Sequence, residues 1–66
     1  MKNLADVIRN KIDETGLKRK AVAEMIGVEQ QTLSAMLTGR RKIYAIDFIK
    51  LCKLLDLTMD DFTEEN

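Results

Sequence analysis

Apolar residues recur along the chain with helical spacing, interrupted by glycines and short polar stretches. In the first segment Leu4, Val7, Ile8, Lys11 and Ile12 fall at helical intervals. Asn3 is placed to cap its start, with Asp6 three residues on, and Gly16 ends it. A second helix is predicted from about 18 to 26, turning Val22, Ala23 and Ile26 inward. A third covers about 29 to 38, and between Gly27 and Gly39 the positions Val28, Leu33, Met36 and Leu37 can face the core. A fourth, about 45 to 55, puts Phe48, Leu51 and Leu55 on one stripe, with Ile49 and Cys52 beside it. A last one or two turns, from Thr58 to about Glu64, open on a Thr-x-x-Asp capping pattern at Thr58 and Asp61. No segment alternates with a period of two, so strands are not expected. The pattern predicts an all-α fold of five short helices in one domain spanning 1–66.

Residues 21–39 carry the sharpest local signal. Gly27 and Gly39 stand twelve residues apart, each where a helix would end in a left-handed turn. With the apolar residues of the third helix inward, Gln30, Gln31, Ser34 and Ala35 are left on its opposite side. A primary amide sets a donor beside an acceptor, the pattern that matches the major-groove edge of adenine. One helix to brace and one to read is the arrangement of a helix-turn-helix, so DNA is the expected partner.

Composition changes this picture only in part. A chain of 66 residues buries only roughly 60% of its unfolded surface, so nearly every apolar side chain must serve one core. At 45% hydrophobic and 33% charged it is globular rather than disordered. The single cysteine, Cys52, excludes an intrachain disulfide, and with no histidine a zinc site is not expected. No apolar run approaches the ~20 residues that span a bilayer, and the N-terminus lacks the core of a signal peptide, so a reduced cytoplasmic protein is expected.

A net charge of zero argues against a DNA partner until its distribution is read. Residues 1–17 balance three basic against three acidic groups. Residues 18–42 carry Lys18, Arg19, Lys20, Arg40, Arg41 and Lys42 against Glu24 and Glu29, a net of +4. Residues 43–66 carry Lys50 and Lys53 against six acids, a net of −4. The two basic clusters bracket the third helix, which predicts a polarised surface.

The chain resembles the lambda-repressor-like helix-turn-helix family, which includes phage Cro proteins and many small bacterial regulators. The resemblance covers nearly the whole chain. It rests on Leu17, Val22-Ala23-Glu24-Met25-Ile26-Gly27-Val28, Gln30-Gln31-Thr32-Leu33-Ser34, Gly39 with the basic residues after it, and the run Leu54-Leu55-Asp56-Leu57-Thr58-Met59-Asp60. It implies that the third helix lies in the major groove, with Gln30, Gln31, Ser34 and Ala35 reading bases and Thr32 on a phosphate. Arg40, Arg41 and Lys42 would then hold the backbone, setting affinity and salt dependence without carrying sequence information.

Two departures from the family pattern matter. Where members open the second helix with a small capping residue and a phosphate-binding glutamine, this chain has Lys18 and Arg19; lysine is a poor cap, and both cations are expected at phosphate. Where phage members often bury an arginine of the first helix against a glutamate of the third, the equivalent positions look like Ile12 and Leu37. Replacing both ions avoids the desolvation cost of the pair.

A domain this small reaches one half-site, so two-fold pairing on a symmetric operator is expected, with recognition helices about 34 Å apart. The interface would be built from leftover apolar surface, with Tyr44, Ile46 and Met59 as candidates for a weak homodimer. A Tyr44 packed on its own core is the competing reading. The expected function is a Cro-type phage or prophage repressor. The alternative is a protein-interaction module, antitoxin-like or an anti-repressor partner, using the scaffold without reading DNA; exposed apolar residues on the third helix would mark it. Without histidine or a nucleophile-base constellation, no catalysis, cofactor or small-molecule substrate is expected. The acids Asp56, Asp60, Asp61, Glu64 and Glu65 read as capping and solubilising charge, lacking the order of a calcium loop. Cys52 reads as core filler between Ile49 and Leu55.

Overall fold

A computed structural model describes residues 3–63. Among them are four α-helices and one 3₁₀ turn: α1 (Leu4–Thr15), α2 (Arg19–Ile26), α3 (Gln30–Leu37), α4 (Ala45–Leu55) and η1 (Met59–Phe62). α1 starts where the sequence places it, the Asn3 side chain accepting a hydrogen bond from the Asp6 N–H at 3.2 Å. Its buried stripe is Ala5, Ile8 and Ile12, so Leu4 lies at the rim of the core rather than in it. α1 packs on α3, α4 and η1, while α2 packs on α3 and α4. One core results, centred on Ile8, Ile12, Val22, Ile26, Leu33, Met36, Leu37, Leu51, Leu55 and Phe62.

Both helices of the central motif close in the same way. After α2, Gly27 takes φ 79°, its N–H donates to the Glu24 carbonyl, and the Val28 N–H donates to the Ala23 carbonyl. After α3, Gly39 takes φ 80°, its N–H donates to Met36 and the Arg40 N–H to Ala35. This pair of bonds is the Schellman motif, which satisfies the last carbonyls and turns the chain sharply. α4 ends by similar means, the Leu57 N–H donating to the Cys52 carbonyl, but Asp56 occupies the left-handed position at φ 54°. An aspartate tolerates that region less well than glycine. Relief of the left-handed strain outweighs the entropy glycine adds to the unfolded chain, so Asp56→Gly is expected to raise stability by up to about 1 kcal/mol, seen as a higher midpoint in urea denaturation with an unchanged slope.

The last element differs from expectation. Thr58 and Asp61 do pair: the Asp61 carboxylate accepts from the Thr58 N–H at 2.7 Å and from its hydroxyl at 3.3 Å. The turn they open is 3₁₀ and ends at Phe62. The Asp61 and Thr63 N–H groups each donate to the carbonyl three residues back. Phe62 is buried and meets the Phe48 ring at a centroid distance of 5.2 Å, so four residues suffice to bring it home and the tighter helix fits the span. The part of this element predicted to reach Glu64, and the acids Glu64 and Glu65, lie outside the described residues.

Two long-range bonds fix the C-terminal ends of α3 and α2. Arg9 Nη1 donates to the Leu37 carbonyl at 2.8 Å while its Nη2 pairs with Asp6 at 2.6 Å, so a cation sits at the C-terminal end of α3. Lys50 Nζ donates to the Ile26 carbonyl at 3.3 Å, doing the same for α2.

Candidate nucleic-acid interface

The turn between α2 and α3 is three residues long, Gly27 to Glu29, and its Schellman closure sets the direction in which α3 leaves. Leu33, Met36 and Leu37 are wholly buried, and Val28 packs against the core beside them. That anchoring decides which face of α3 remains. Gln30 and Gln31 are exposed at its leading end, and Ser34, Ala35 and Thr32 are half-buried behind them. The amides of Gln30 and Gln31 make no hydrogen bond within the described residues, so their donors and acceptors are uncommitted. The exposed side of α3 carries no large apolar residue.

Along the chain the basic residues flank this helix on both sides. Lys18 caps α2 in extended conformation with no side-chain bond, as a lysine must, and Arg19 begins the helix. Arg19 Nη2 lies 3.7 Å from Asp13 Oδ1. An exposed ion pair of this length contributes little, so an arriving phosphate can replace the carboxylate. Neither Lys18 nor Glu29 bonds through its side chain to the backbone N–H groups that open α2 and α3. Those groups have no partner in their own helices, and the helix dipole makes both ends electropositive.

After α3 the loop is held by side chains. The Thr38 hydroxyl donates to the Ser34 and Ala35 carbonyls and accepts from Arg40 Nε at 3.3 Å. The Arg41 guanidinium stands 5.8 Å from the centroid of the Tyr44 ring, a cation–π contact. Lys42 is exposed and makes no side-chain hydrogen bond, ion pair or ring contact among the described residues. Helical periodicity could not reveal either arginine contact, since both lie in the loop where no regular spacing applies.

The apolar candidates are all exposed. Tyr44, Ile46 and Met59 are 57%, 60% and 72% exposed, so Tyr44 does not pack on its own core. Sequence spacing missed a fourth: Ile49, placed there beside the core stripe, is 48% exposed. Ile46 and Ile49 are three residues apart on α4 and so share a helix face. Cys52 is half-buried against the core, and burial together with the nearby Asp61 carboxylate pushes its thiol above the ordinary range. It stays protonated at neutral pH, the opposite of what a redox-sensing thiolate requires. Among the described residues no group of side chains is arranged to hold a metal ion, and no helix is long and apolar enough to cross a membrane.

A helix-turn-helix family model matches residues 8–62, from the first buried isoleucine of α1 to Phe62 of η1. No curated protein and no solved structure matches the chain.

Proposed function

The chain belongs to the lambda-repressor-like helix-turn-helix family of DNA-binding regulators, and on that footing we propose that it is a cytoplasmic Cro-type repressor, of phage or prophage kind, binding a two-fold symmetric operator as a weak homodimer. Residues 1–66 act as one DNA-binding unit. α3 enters the major groove, where Gln30, Gln31, Ser34 and Ala35 read base edges. Lys18, Arg19 and Thr32 hold phosphates on one side of the groove, and Arg40, Arg41 and Lys42 on the other. The observation that carries this reading is the pair of exposed, uncommitted glutamine amides at the leading end of α3, bordered by the uncapped, cationic start of α2 and the basic loop. The polar face of α3 gives no support to a protein-interaction module, which would expose apolar residues there.

Pairing follows from reach. One copy of α3 covers a few base pairs, too little to single out a site in a genome. Tyr44, Ile46 and Met59, joined by Ile49, offer the exposed apolar surface through which two copies would meet. Arg41 over the Tyr44 ring sets the basic loop against the edge of that surface, so pairing and backbone binding reinforce one another on DNA.

Selection of sites from a random duplex library by the purified protein tests the reading. A two-fold symmetric consensus with half-sites centred about 10 base pairs apart is expected. Binding with no enriched sequence would refute it. Changing Arg40, Arg41 and Lys42 together to Ala should weaken binding to every duplex alike. It should also flatten the plot of log affinity against log salt by about 0.9 for each phosphate no longer neutralised. An unchanged slope would place the cations that neutralise phosphate elsewhere on the surface.

A further inference from the structure

The acid that precedes the recognition helix is out of place on a surface built to meet phosphates. Glu29 is one of only two carboxylates among residues 18–42, set directly before Gln30 at the tip of α3. An acid at the N-terminal end of a helix ordinarily finds a local use, as a cap or in an ion pair. Glu29 has neither: it is exposed, its side chain makes no cap bond, and it takes part in no ion pair among the described residues. No hydrogen bond or ion pair holds it, and the dipole of α3 alone favours a negative charge there.

Its placement decides what it can meet. Glu29 is the N-cap of α3, in extended conformation at φ −72° and ψ 151°, so it stands just ahead of the first helical turn at the leading end of the helix. When that end enters the groove, Glu29 goes in beside Gln30 and Gln31, among base edges rather than along the backbone. A carboxylate there is acceptor-only. Guanine presents two acceptors in the major groove and thymine one, and both would repel it. Adenine offers one amino group with an acceptor beside it. Cytosine offers its N4 amino group with no acceptor of its own on that edge. We propose that Glu29 is a specificity-determining residue that selects a cytosine at one position of each half-site, through its N4 amino group, and rejects guanine and thymine there by charge. This rests on the DNA-reading assignment of α3.

Site selection with the wild type, Glu29→Gln and Glu29→Ala separates the possibilities. The wild type should enrich cytosine at one position by roughly tenfold over guanine or thymine. Glu29→Ala should lose that preference while keeping the rest of the consensus. Glu29→Gln should move it toward adenine, whose N6 and N7 an amide matches. Thermal melting of the three proteins serves as control, since a carboxylate acting only on the helix dipole would alter stability and leave base frequencies untouched. The same consensus from wild type and Glu29→Ala overturns the proposal and leaves DNA reading by α3 intact. Enrichment of no sequence by any of the three overturns both.

Discussion

Leu37→Glu is expected to unfold the protein at room temperature, and Ile12→Arg added to it to recover a substantial part of the loss. Ile12 and Leu37 are both fully buried in one core, on helices that pack together. A carboxylate introduced alone at Leu37 would be desolvated with no counter-charge. Leaving one partner of a buried pair uncompensated costs about 3–5 kcal/mol. A chain of this length has a total stability of about 3–10 kcal/mol, so the single change consumes most or all of it. The nearby Arg9 cannot rescue it freely, because it is already committed to Asp6 and to the Leu37 carbonyl. The paired change puts back the arginine and glutamate that phage members of the family often bury at these positions. Urea denaturation followed by circular dichroism of the two single variants and the double variant measures the coupling directly. A double variant no more stable than Leu37→Glu alone would show that the two positions do not face one another.

The second large effect is on recognition rather than folding. Gln30→Ala with Gln31→Ala should leave the melting temperature nearly unchanged, because both side chains are exposed and make no bond within the protein. Alanine also favours the helix slightly. Each amide that pairs with a base is worth about 1–3 kcal/mol of discrimination, so losing two should cut the ratio of operator to random-duplex affinity by about 30-fold or more. Affinity for random duplex should hardly move, since the basic residues that set it are intact. Fluorescence anisotropy with the selected operator and a scrambled duplex gives the ratio. Equal loss on both duplexes would mean that the glutamines act at phosphate.

What could be read from the chain follows from where each feature is encoded. Gly27 and Gly39 were legible because a left-handed helix end favours glycine and each follows closely on an apolar position of its helix. Asp56 does the same work at the end of α4 and was not, since aspartate more often signals a cap or a turn. The buried faces of α2 and α3 followed from periodicity. Ile49 did not: spacing tells which residues share a side of α4, but not how far round that side the neighbouring helices reach. The bond from Arg9 to the Leu37 carbonyl joins residues 28 apart and depends on how α1 lies across α3, which no local pattern encodes. The 3₁₀ form of the last turn was hidden for a related reason. It ends with Phe62 buried against Phe48, a contact of the assembled core that local spacing does not encode. At the interface, residue types and their bracketing charges were visible, while the freedom of the Gln30, Gln31 and Glu29 side chains emerged only from the structure.

Whether α3 and the two basic stretches flanking it form one DNA-contacting face is decided by titrating the ¹⁵N-labelled protein with the selected operator duplex and following its amide chemical shifts. Shifts concentrated at residues 18–20, 29–35 and 38–42, with the outer face of α1 around Asn10 and Glu14 unmoved, are the expected result. Shifts confined to the outer face of α1, with residues 29–35 silent, would contradict it.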